Sequence, residues 1–262
     1  HHFPTGKAST KNAFVYWCKL FVYKILLQIS TLRAKKILTV SEATKEEIVQ
    51  HLHVQENKII VSHNGVEEIF LKHAKTTSLF PFAYILYVGN AYPHKNINVL
   101  LQAFKDVIVE EKNIHLVLVG KKDYFYNNVL HTVKNMGIEK QVDFISDATD
   151  EKLVSLFRHA KALVLPSLME GFGLSAVEAM ATGCPVIASD IASIREVCGS
   201  SAFYFNPKSP TELTKILSGV LEKDKTFFDE KIKKAKEKAA TFSWEKMAPD
   251  VLAVYESCTR LR

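Results

Sequence analysis

The sequence has few cysteines, and those that it has lie far apart. Its 262 residues include four cysteines, and no two of them form a Cys-x-x-Cys pair: Cys18, Cys184, Cys198 and Cys258. Closely spaced cysteines are typical of zinc sites and of the disulfide frameworks of small secreted domains. Their absence argues against both classes and favours a protein of the reducing cytoplasm.

Two further motifs are absent, and each absence argues against a kind of site. The chain has no Asp-x-Asp pair and no histidine cluster with metal-binding spacing, so we expect no divalent metal and no other cofactor. The first strand of the central region ends at Gly89, which stands alone instead of opening a Gly-x-Gly-x-x-Gly fingerprint. The sequence therefore argues against a dinucleotide-dependent oxidoreductase.

Composition indicates a folded protein. The residues are 47% hydrophobic and 24% charged, which is enough to bury a core in one or two domains. No secretory signal is visible, and the chain starts at His1 rather than at methionine. We therefore interpret the chain as a fragment of a cytoplasmic protein, and His1 either as native or as the remainder of a tag.

Acidic residues are missing from the first part of the chain. Residues 1–41 contain seven basic residues and no acidic one: Lys7, Lys11, Lys19, Lys24, Arg33, Lys35 and Lys36. This segment carries +7 while the whole chain carries +6, so the remaining residues sum to −1. The basic character therefore indicates an anionic partner for the N-terminal part alone.

Residues 13–29 combine this positive charge with apolar and aromatic side chains. The run is interrupted by Lys19 and Lys24, as in a helix that lies on an anionic membrane surface. Two other interpretations stay open, an ordinary buried helix and a membrane span. Nucleic acid is a poor alternative partner, because no nucleic-acid-binding motif accompanies the basic cluster.

The central part of the chain alternates short apolar runs with helical patterns. This alternation is typical of an α/β fold with a parallel sheet that helices cover on both faces. The predicted strands are Tyr84 to Val88, Leu116 to Val119, Val142 to Ile145, Ala162 to Leu165, Val186 to Ala188 and Ala202 to Phe205. A helix is predicted over residues 96–112, with Asn96 as its N-cap. Together these elements predict one Rossmann-like, doubly wound domain.

The flanking parts are too short for a second complete domain of this kind. Only residues 36–40 and 58–62 read as strands before the central part, with a helix over residues 42–51 between them. We therefore divide the chain into a partial N-terminal domain, residues 1–75, and the Rossmann-like domain, residues 76–240. The last segment, residues 241–262, is predicted to be a helix that packs back on the N-terminal part.

The most informative stretch runs from Glu170 to Glu178. Gly171 and Gly173 follow the fourth predicted strand and precede a helix, which is the kind of turn where α/β sheets bind phosphates. The glycines let the backbone approach an anion, and the helix start offers N–H groups and a partial positive charge. Glu178 lies about one and a half turns into the helix, where its carboxylate could accept bonds from sugar hydroxyls.

The residues around this stretch resemble those of the family 4 retaining glycosyltransferases. The similar segments occur in the family's order and cover nearly the whole chain: Arg33 to Ser41, Asn64 to Val66, Tyr87 to Gly89, Pro93 to Asn96, Pro166 to Ser167, Glu170 to Ala181 and Gly183 to Ser189. The resemblance implies the GT-B arrangement, in which two Rossmann-like domains face each other. The second domain of that arrangement binds the nucleotide sugar, and most of the first, acceptor-binding domain is absent here.

The resemblance also implies roles for single residues. Lys95 and the glycine loop hold the donor diphosphate, Glu170 borders the reacting sugar, and Glu178 holds the ribose. His1 resembles a histidine that reaches towards the donor sugar, so the catalytic candidates are Glu170, Lys95 and His1. Many family members have arginine where this chain has Asn90. The remaining donor-binding candidates are Gly89, Asn90, His94, Ile145, Gly171, Phe172, Gly173 and Leu174.

The implied reaction is transfer of a sugar, with mannose as the first candidate, from a nucleoside diphosphate sugar to a hydroxyl. The implied acceptor is a glycan or a lipid-linked saccharide of cell-envelope or polysaccharide biosynthesis. Two alternatives remain open. One is an epimerase or a phosphorylase on the same fold. The other is a nucleotide-sugar-binding module that needs a partner for activity.

Overall fold

The computed structural model describes residues 13–72 and 76–259. These residues form two compact units, one of residues 66–243 and one of the segments on either side. The strands are β1 (Ile37–Thr39), β2 (Ile59–Val61), β3 (Ala83–Val88), β4 (Ile114–Val119), β5 (Val142–Ile145), β6 (Ala162–Leu165), β7 (Val186–Ser189) and β8 (Ala202–Phe205). The helices are α1 (Ala13–Arg33), α2 (Glu42–Leu52), α3 (Glu68–Leu71), α4 (Ile97–Glu110), α5 (Tyr124–Met136), α6 (Asp150–His159), α7 (Leu174–Thr182), α8 (Ala192–Cys198), α9 (Pro210–Leu221), α10 (Asp229–Ala239) and α11 (Trp244–Thr259).

The large unit is built on one parallel sheet of six strands. Their order is β5-β4-β3-β6-β7-β8, and every neighbouring pair is parallel. With β3 counted as the first strand, this is the doubly wound order 3-2-1-4-5-6. The order reverses between β3 and β6, and such a switch point opens a crevice at the carboxyl ends of the strands. The predicted α/β class and its six strands are confirmed.

Helices cover the sheet because its strands are apolar on both faces. In β6 all four residues are buried, as is expected of a central strand of a doubly wound sheet. Helix α4 packs its predicted apolar stripe into the core, where Leu100, Leu101 and Phe104 are inaccessible to solvent. The core of the large unit therefore holds the carboxyl ends of the strands, and the loops that follow them, in fixed positions.

Asn96 is the N-cap residue of α4, as predicted, although its side chain does not form a capping bond. Its backbone is left-handed, with φ of 56° and ψ of 34°. A capping side chain requires an extended backbone at this position, as Ser41 has at the start of α2, where its Oγ accepts from Thr44 N. Asn96 therefore uses its amide group elsewhere.

The small unit contains a two-stranded parallel sheet with little core. Strands β1 and β2 have three residues each and pair with Ile37 opposite Ile59. The buried cluster of this unit consists of Leu52, Val54 and Ile59. Helix α11 belongs to the same unit, in which Lys35 Nζ donates to the carbonyl of Cys258 at 2.8 Å.

Helix α1 lies largely exposed in the described part of the chain. Its large apolar side chains at the surface include Phe14, Trp17, Phe21, Val22, Leu26 and Leu32. By length and composition, Phe14–Arg33 could span a membrane, with a mean hydropathy of 1.2, and 6% of it is buried. Among the described residues the buried-helix interpretation does not hold, because most of α1 is exposed.

Candidate active site

The two charged residues proposed for catalysis lie on opposite sides of the switch point. Lys95 ends the short helical turn Pro93–Lys95, which follows β3, and Glu170 lies in the loop after β6. Because β3 and β6 are adjacent parallel strands, both loops leave the same edge of the sheet. The topology of the sheet thus brings together two residues that are 75 positions apart in sequence.

Lys95 and Glu170 are in direct contact. Lys95 Nζ lies 2.7 Å from Glu170 Oε1, and the two side chains are 18% and 10% exposed. The hydroxyl of Ser167 donates to the same carboxylate oxygen, also at 2.7 Å. A partly buried cation and carboxylate therefore stand together in the crevice where doubly wound sheets bind nucleotides.

The loops that carry this pair are tied to one another. The side-chain amide of Asn96 donates to the carbonyl of Pro166 at 2.9 Å and to that of Pro207 at 2.8 Å. The backbone N–H of Leu168 donates to the carbonyl of His94 at 2.8 Å. These bonds link the loops after β3, β6 and β8, so the positions of Lys95 and Glu170 are coupled through backbone as well as side chains.

The glycine loop leads into α7 as predicted. Gly173 stands at the N-cap position with φ of 89°, a conformation that favours glycine. A Cβ on Gly173 would lie 2.5 Å from Ile194 Cδ1, so a side chain there would also force Ile194 to shift. Gly171 is exposed at the start of the loop. The loop therefore presents backbone and the N-terminus of α7, a combination that suits a phosphate.

The two apolar candidates of this loop differ in their surroundings. The ring of Phe172 is buried and packs edge-on against Phe242, with centroids 5.3 Å apart. Leu174 is 40% exposed on the first turn of α7. Phe172 can thus meet a donor only through its backbone, whereas the side chain of Leu174 is accessible.

Glu178 carries the most perturbed carboxyl group near the site. Burial raises its pKa from 4.5 to about 7, and the negative charges of Asp150 and Glu67 add to this effect. Glu178 lies on α7, and the two other acids lie at the starts of α6 and α3. The carboxyl group is therefore partly protonated at neutral pH, and a ligand that donates hydrogen bonds to it stabilises the ionised form.

The remaining predicted donor residues lie along the same edge of the sheet. Gly89 follows β3, and the carbonyl of Asn90 accepts a bond from the hydroxyl of Tyr87 at 2.6 Å. Ile145 ends β5, and its carbonyl accepts from Gly120 N at 3.0 Å. Three strand spacings separate β5 from β6, about 14 Å at about 4.8 Å per spacing. The carboxyl ends of β5 and β6 are therefore far enough apart for a nucleoside to lie between them.

The surroundings of His94 favour the neutral form of its imidazole. Burial holds the pKa of its imidazole below the ordinary value of 6.5, and the charge of Lys95 lowers it further, against an opposing effect of Glu170. The sequence suggested that His94 could donate to a phosphate. A neutral imidazole can still donate one N–H, but it adds no positive charge.

Sequence reasoning missed two residues of the site. Ser167 was recognised only as part of a motif, yet its hydroxyl contacts Glu170. Gly120 follows β4 as Gly89 follows β3, and a Cβ there would lie 2.2 Å from the carbonyl oxygen of Gly89. Two apolar strands that each end in glycine were the available signal for Gly120.

Two further expectations concern His1 and the absence of a metal ion. His1, the third catalytic candidate, lies outside the described residues. Among the residues that the structure describes, no group of three or more His, Cys, Asp or Glu side chains is placed to hold a metal ion. The expectation that the protein needs no metal stays a prediction.

A doubly wound sheet with a glycine loop and a cation at its switch point defines a Rossmann-like nucleotide-binding domain. Comparison with known families makes the assignment more specific. The sequence profile described as "Glycosyl transferases group 1" matches residues 68–241. The chain belongs to this family.

Several curated relatives are similar to the chain. It is 34% identical over 186 residues to the O-antigen chain mannosyltransferase RfbU of Salmonella typhimurium, covering 71% of this chain and 50% of RfbU. It is 29% identical over 241 residues to the serotype-specific mannosyltransferase WbdA of Escherichia coli, covering 87% and 29%. It is 30% identical over 225 residues to the MMP alpha-(1->4)-mannosyltransferase of Mycolicibacterium hassiacum, covering 84% and 54%. The chain spans about half the length of these relatives, or less.

Solved structures share the fold. The sucrose-phosphate synthase of Thermosynechococcus elongatus superimposes with a TM-score of 0.80 at 21% identity, over 99% of this chain and 65% of that one. Anabaena Alr3699/HepE, in complex with UDP and glucose, superimposes with a TM-score of 0.76 at 18% identity, over 89% and 66%. At these identities the likeness establishes the α/β glycosyltransferase fold.

Proposed function

We propose that the protein is the donor-binding part of a family 4 retaining glycosyltransferase that transfers mannose from a nucleoside diphosphate sugar. The observation that carries the proposal is the contact of Lys95 with Glu170 at the switch point, beside the N-terminus of α7. Membership in the glycosyl transferases group 1 supports the reaction class. The names of RfbU, WbdA and the Mycolicibacterium enzyme support mannose as the sugar and polysaccharide biosynthesis as the setting.

The donor follows the carboxyl edge of the sheet. Its base lies at the end of β5 near Ile145, its ribose hydroxyls donate to Glu178, and its diphosphate meets Gly171 to Gly173 and the start of α7. The phosphate charges are balanced by Lys95 and by the partial charge of the helix N-terminus. This arrangement needs no metal ion, because protein donors supply the positive charge that a cation otherwise brings.

The chemical step depends on the same two residues. As the bond between the anomeric carbon and the diphosphate breaks, negative charge builds up on the leaving group, and Lys95 stabilises it. Glu170 orients the donor hydroxyls and stabilises the positive charge at the anomeric carbon. The acceptor hydroxyl attacks on the face that the diphosphate leaves and gives its proton to the departing phosphate oxygen, so the anomeric configuration is retained. The transferred sugar then keeps the α or β anomeric signal of the donor in the NMR spectrum of the product.

A second candidate function follows from the length of the chain. Because the chain spans about half of RfbU, the residues that bind the acceptor can lie outside it. In that case the chain is a nucleotide-sugar-binding module that transfers sugar only when the missing part or a partner is present. Nucleotide binding without turnover, followed by turnover after addition of that part, distinguishes the module from a self-sufficient enzyme.

Helix α1 supports a lipid-linked acceptor and peripheral attachment to an anionic cytoplasmic membrane surface. It exposes apolar side chains, carries Lys19, Lys24 and Arg33, and contains no acidic residue. This combination suits an interfacial helix on acidic lipid. The test is flotation of the protein with vesicles of phosphatidylcholine alone and with added phosphatidylglycerol. Equal flotation with both vesicles contradicts the attachment.

The donor proposal is tested by thermal unfolding of the purified chain with UDP, GDP, ADP, dTDP or NAD. A ligand that binds the native state selectively raises the apparent stability by mass action. We expect stabilisation by one nucleoside diphosphate, with GDP the first candidate, and loss of the effect in Glu178→Ala and Lys95→Ala. Stabilisation by none of the nucleotides, or undiminished stabilisation in both variants, contradicts the proposed site.

A further inference from the structure

We propose that Asn96 and Ser167 are positioning residues of the donor site, Asn96 by fixing the loop of Lys95 and Ser167 by orienting the carboxylate of Glu170. The inference rests on the proposed function, because it assigns these residues to the binding of a nucleoside diphosphate sugar. Neither residue touches the donor in this assignment. Each acts through a charged residue that does.

Asn96 is placed to hold three loops at once. It is next to Lys95 in sequence, and its single amide nitrogen donates to Pro166 in the loop after β6 and to Pro207 in the loop after β8. Both N–H bonds of the amide are thus used, at 2.9 and 2.8 Å. The acceptors are 70 and 111 positions away, so these bonds serve the junction of the loops rather than the local turn.

The backbone conformation of Asn96 serves these long-range bonds at the expense of a side-chain cap for α4. The residue adopts a left-handed backbone, which asparagine tolerates better than most residues, and leaves α4 without a side-chain cap. A serine or aspartate with an extended backbone would start the helix more favourably. The left-handed turn instead directs the amide away from α4 and towards Pro166 and Pro207.

Ser167 orients the carboxylate of Glu170, which is the partner of Lys95 in the contact. It is 1% exposed, and its hydroxyl donates to the same oxygen of Glu170 that accepts from Lys95. The bonds that the structure shows at this carboxylate therefore both end on Oε1, which leaves Oε2 available for a donor hydroxyl. When Lys95 turns to a bound diphosphate, the bond from Ser167 still holds the carboxylate in place.

The roles assigned to Asn96 and Ser167 predict different losses of ligand affinity. Without the amide donors of Asn96, the loop of Lys95 is no longer fixed, so affinity for both GDP and GDP-mannose should fall. Without the hydroxyl of Ser167, only the orientation of Glu170 is lost. Glu170 faces the sugar rather than the diphosphate, so affinity for GDP-mannose should fall while affinity for GDP stays the same.

The experiment is calorimetric titration of the whole chain with GDP and with GDP-mannose. Asn96→Asp keeps the shape of the side chain and tolerates the left-handed backbone, but it removes both N–H donors. Its affinity for each ligand should be about tenfold lower, as expected for lost hydrogen bonds near charged groups. Asn128→Asp on the exposed surface of α5 makes the same chemical change and should have no effect. Asn96→Gly keeps the left-handed turn without the amide and should resemble Asn96→Asp.

For Ser167→Ala we expect about a tenfold loss for GDP-mannose and less than a twofold change for GDP. The matched control is Ser155→Ala, because Ser155 is also buried and donates to a backbone carbonyl, that of Thr77 at 2.7 Å. A double-mutant cycle decides whether Ser167 acts through Glu170: in the Glu170→Ala background, Ser167→Ala should have no further effect on GDP-mannose.

The outcomes separate this inference from the proposed function. If the wild-type chain binds none of the nucleotides, the proposed function fails and the inference fails with it. If the wild type binds the ligands and Asn96→Asp binds each of them as tightly as the wild type does, the proposed function stands and the role of Asn96 is wrong. An undiminished effect of Ser167→Ala in the Glu170→Ala background shows a structural role for Ser167 and overturns its assignment.

Discussion

Glu178 holds a carboxyl group part way into the protein, where ionisation is unfavourable. Its pKa in the folded protein is about 7, against an ordinary value of 4.5, because of burial and of the nearby Asp150 and Glu67. The native state therefore keeps a proton that the unfolded chain releases. The stability that this proton gives is full below about pH 4.5 and is lost as the pH rises through 7.

This linkage predicts that Glu178→Gln stabilises the protein at high pH. The amide has the same shape and no charge, so at pH 8 we expect the free energy of unfolding to rise by about 1–2 kcal/mol, and at pH 4.5 to change little. Urea denaturation across this pH range measures the difference. Glu151→Gln is a control in which the free energy of unfolding should change in the opposite direction, because hydrogen bonds of the backbone and of Thr149 lower the pKa of Glu151. A gain for Glu178→Gln that is independent of pH contradicts the explanation.

The same carboxyl group predicts how nucleotide affinity depends on pH. A ribose hydroxyl donates to a carboxylate more strongly than to a neutral carboxylic acid, so GDP affinity should rise between pH 6 and pH 8. In Glu178→Gln the affinity should be lower and should not rise over this range. Calorimetric titration at four pH values measures both curves. A rise that persists in Glu178→Gln assigns the titration to another group.

Gly120 predicts a steric effect that its neighbours in sequence do not reveal. A Cβ at this position would lie 2.2 Å from the carbonyl oxygen of Gly89 and 2.8 Å from Tyr126 Cε2, and the first contact cannot be relieved without movement of the backbone. We expect Gly120→Ala to cost about 3 kcal/mol in the free energy of unfolding. The control is Gly219→Ala in α9, where no atom lies within 4 Å of the added Cβ. That variant should gain about 0.5–1 kcal/mol in urea denaturation.

Single residues show how far the sequence could be interpreted. Lys95 and Glu170 could be chosen from their motifs, because a lysine before a helix and an acid before a glycine loop are local patterns. Their mutual contact could not, because it depends on β3 lying beside β6. The conformation of Asn96 also escaped prediction, since asparagine before an apolar helical stripe equally suits a normal N-cap.

At the level of elements, the six strands of the large unit were predictable because each is a continuous apolar run bounded by turn residues. The environment of α1 was not predictable, since burial of a helix depends on what else is present to cover it. The sequence pattern allowed a buried helix, an interfacial helix or a span. The structure leaves most of α1 exposed among the described residues.

The charge on α1 predicts a specific dependence on lipid. Replacement of Lys19 and Lys24 by glutamine removes two charges from the helix without changing its apolar residues. Each lysine near an anionic surface contributes about 1 kcal/mol to the binding free energy. The affinity of the double variant for vesicles with phosphatidylglycerol should therefore be lower by about tenfold or more. The matched control replaces Lys134 and Lys140, which lie in the large unit. Equal vesicle binding by both double variants contradicts an electrostatic role of α1.

At the scale of the whole molecule, the two units differ in size and in the signals that report on them. The large unit has the six-stranded sheet and the extended core, whereas the described residues of the small unit include two strands of three residues and three buried apolar side chains. The two tryptophans of the chain, Trp17 and Trp244, both belong to the small unit. Tryptophan fluorescence therefore reports on the small unit, and circular dichroism is dominated by the large one.

This distribution predicts two separable thermal transitions. The small unit, with so little buried apolar surface, should unfold first and be seen by fluorescence, and the large unit should follow and be seen by circular dichroism. GDP at 100 times its dissociation constant stabilises the unit that contains the donor site by about 2.7 kcal/mol. The later transition should thus move up by several degrees while the fluorescence transition stays in place. If GDP moves both transitions equally, the two units unfold together, and the donor site is linked to the small unit as well.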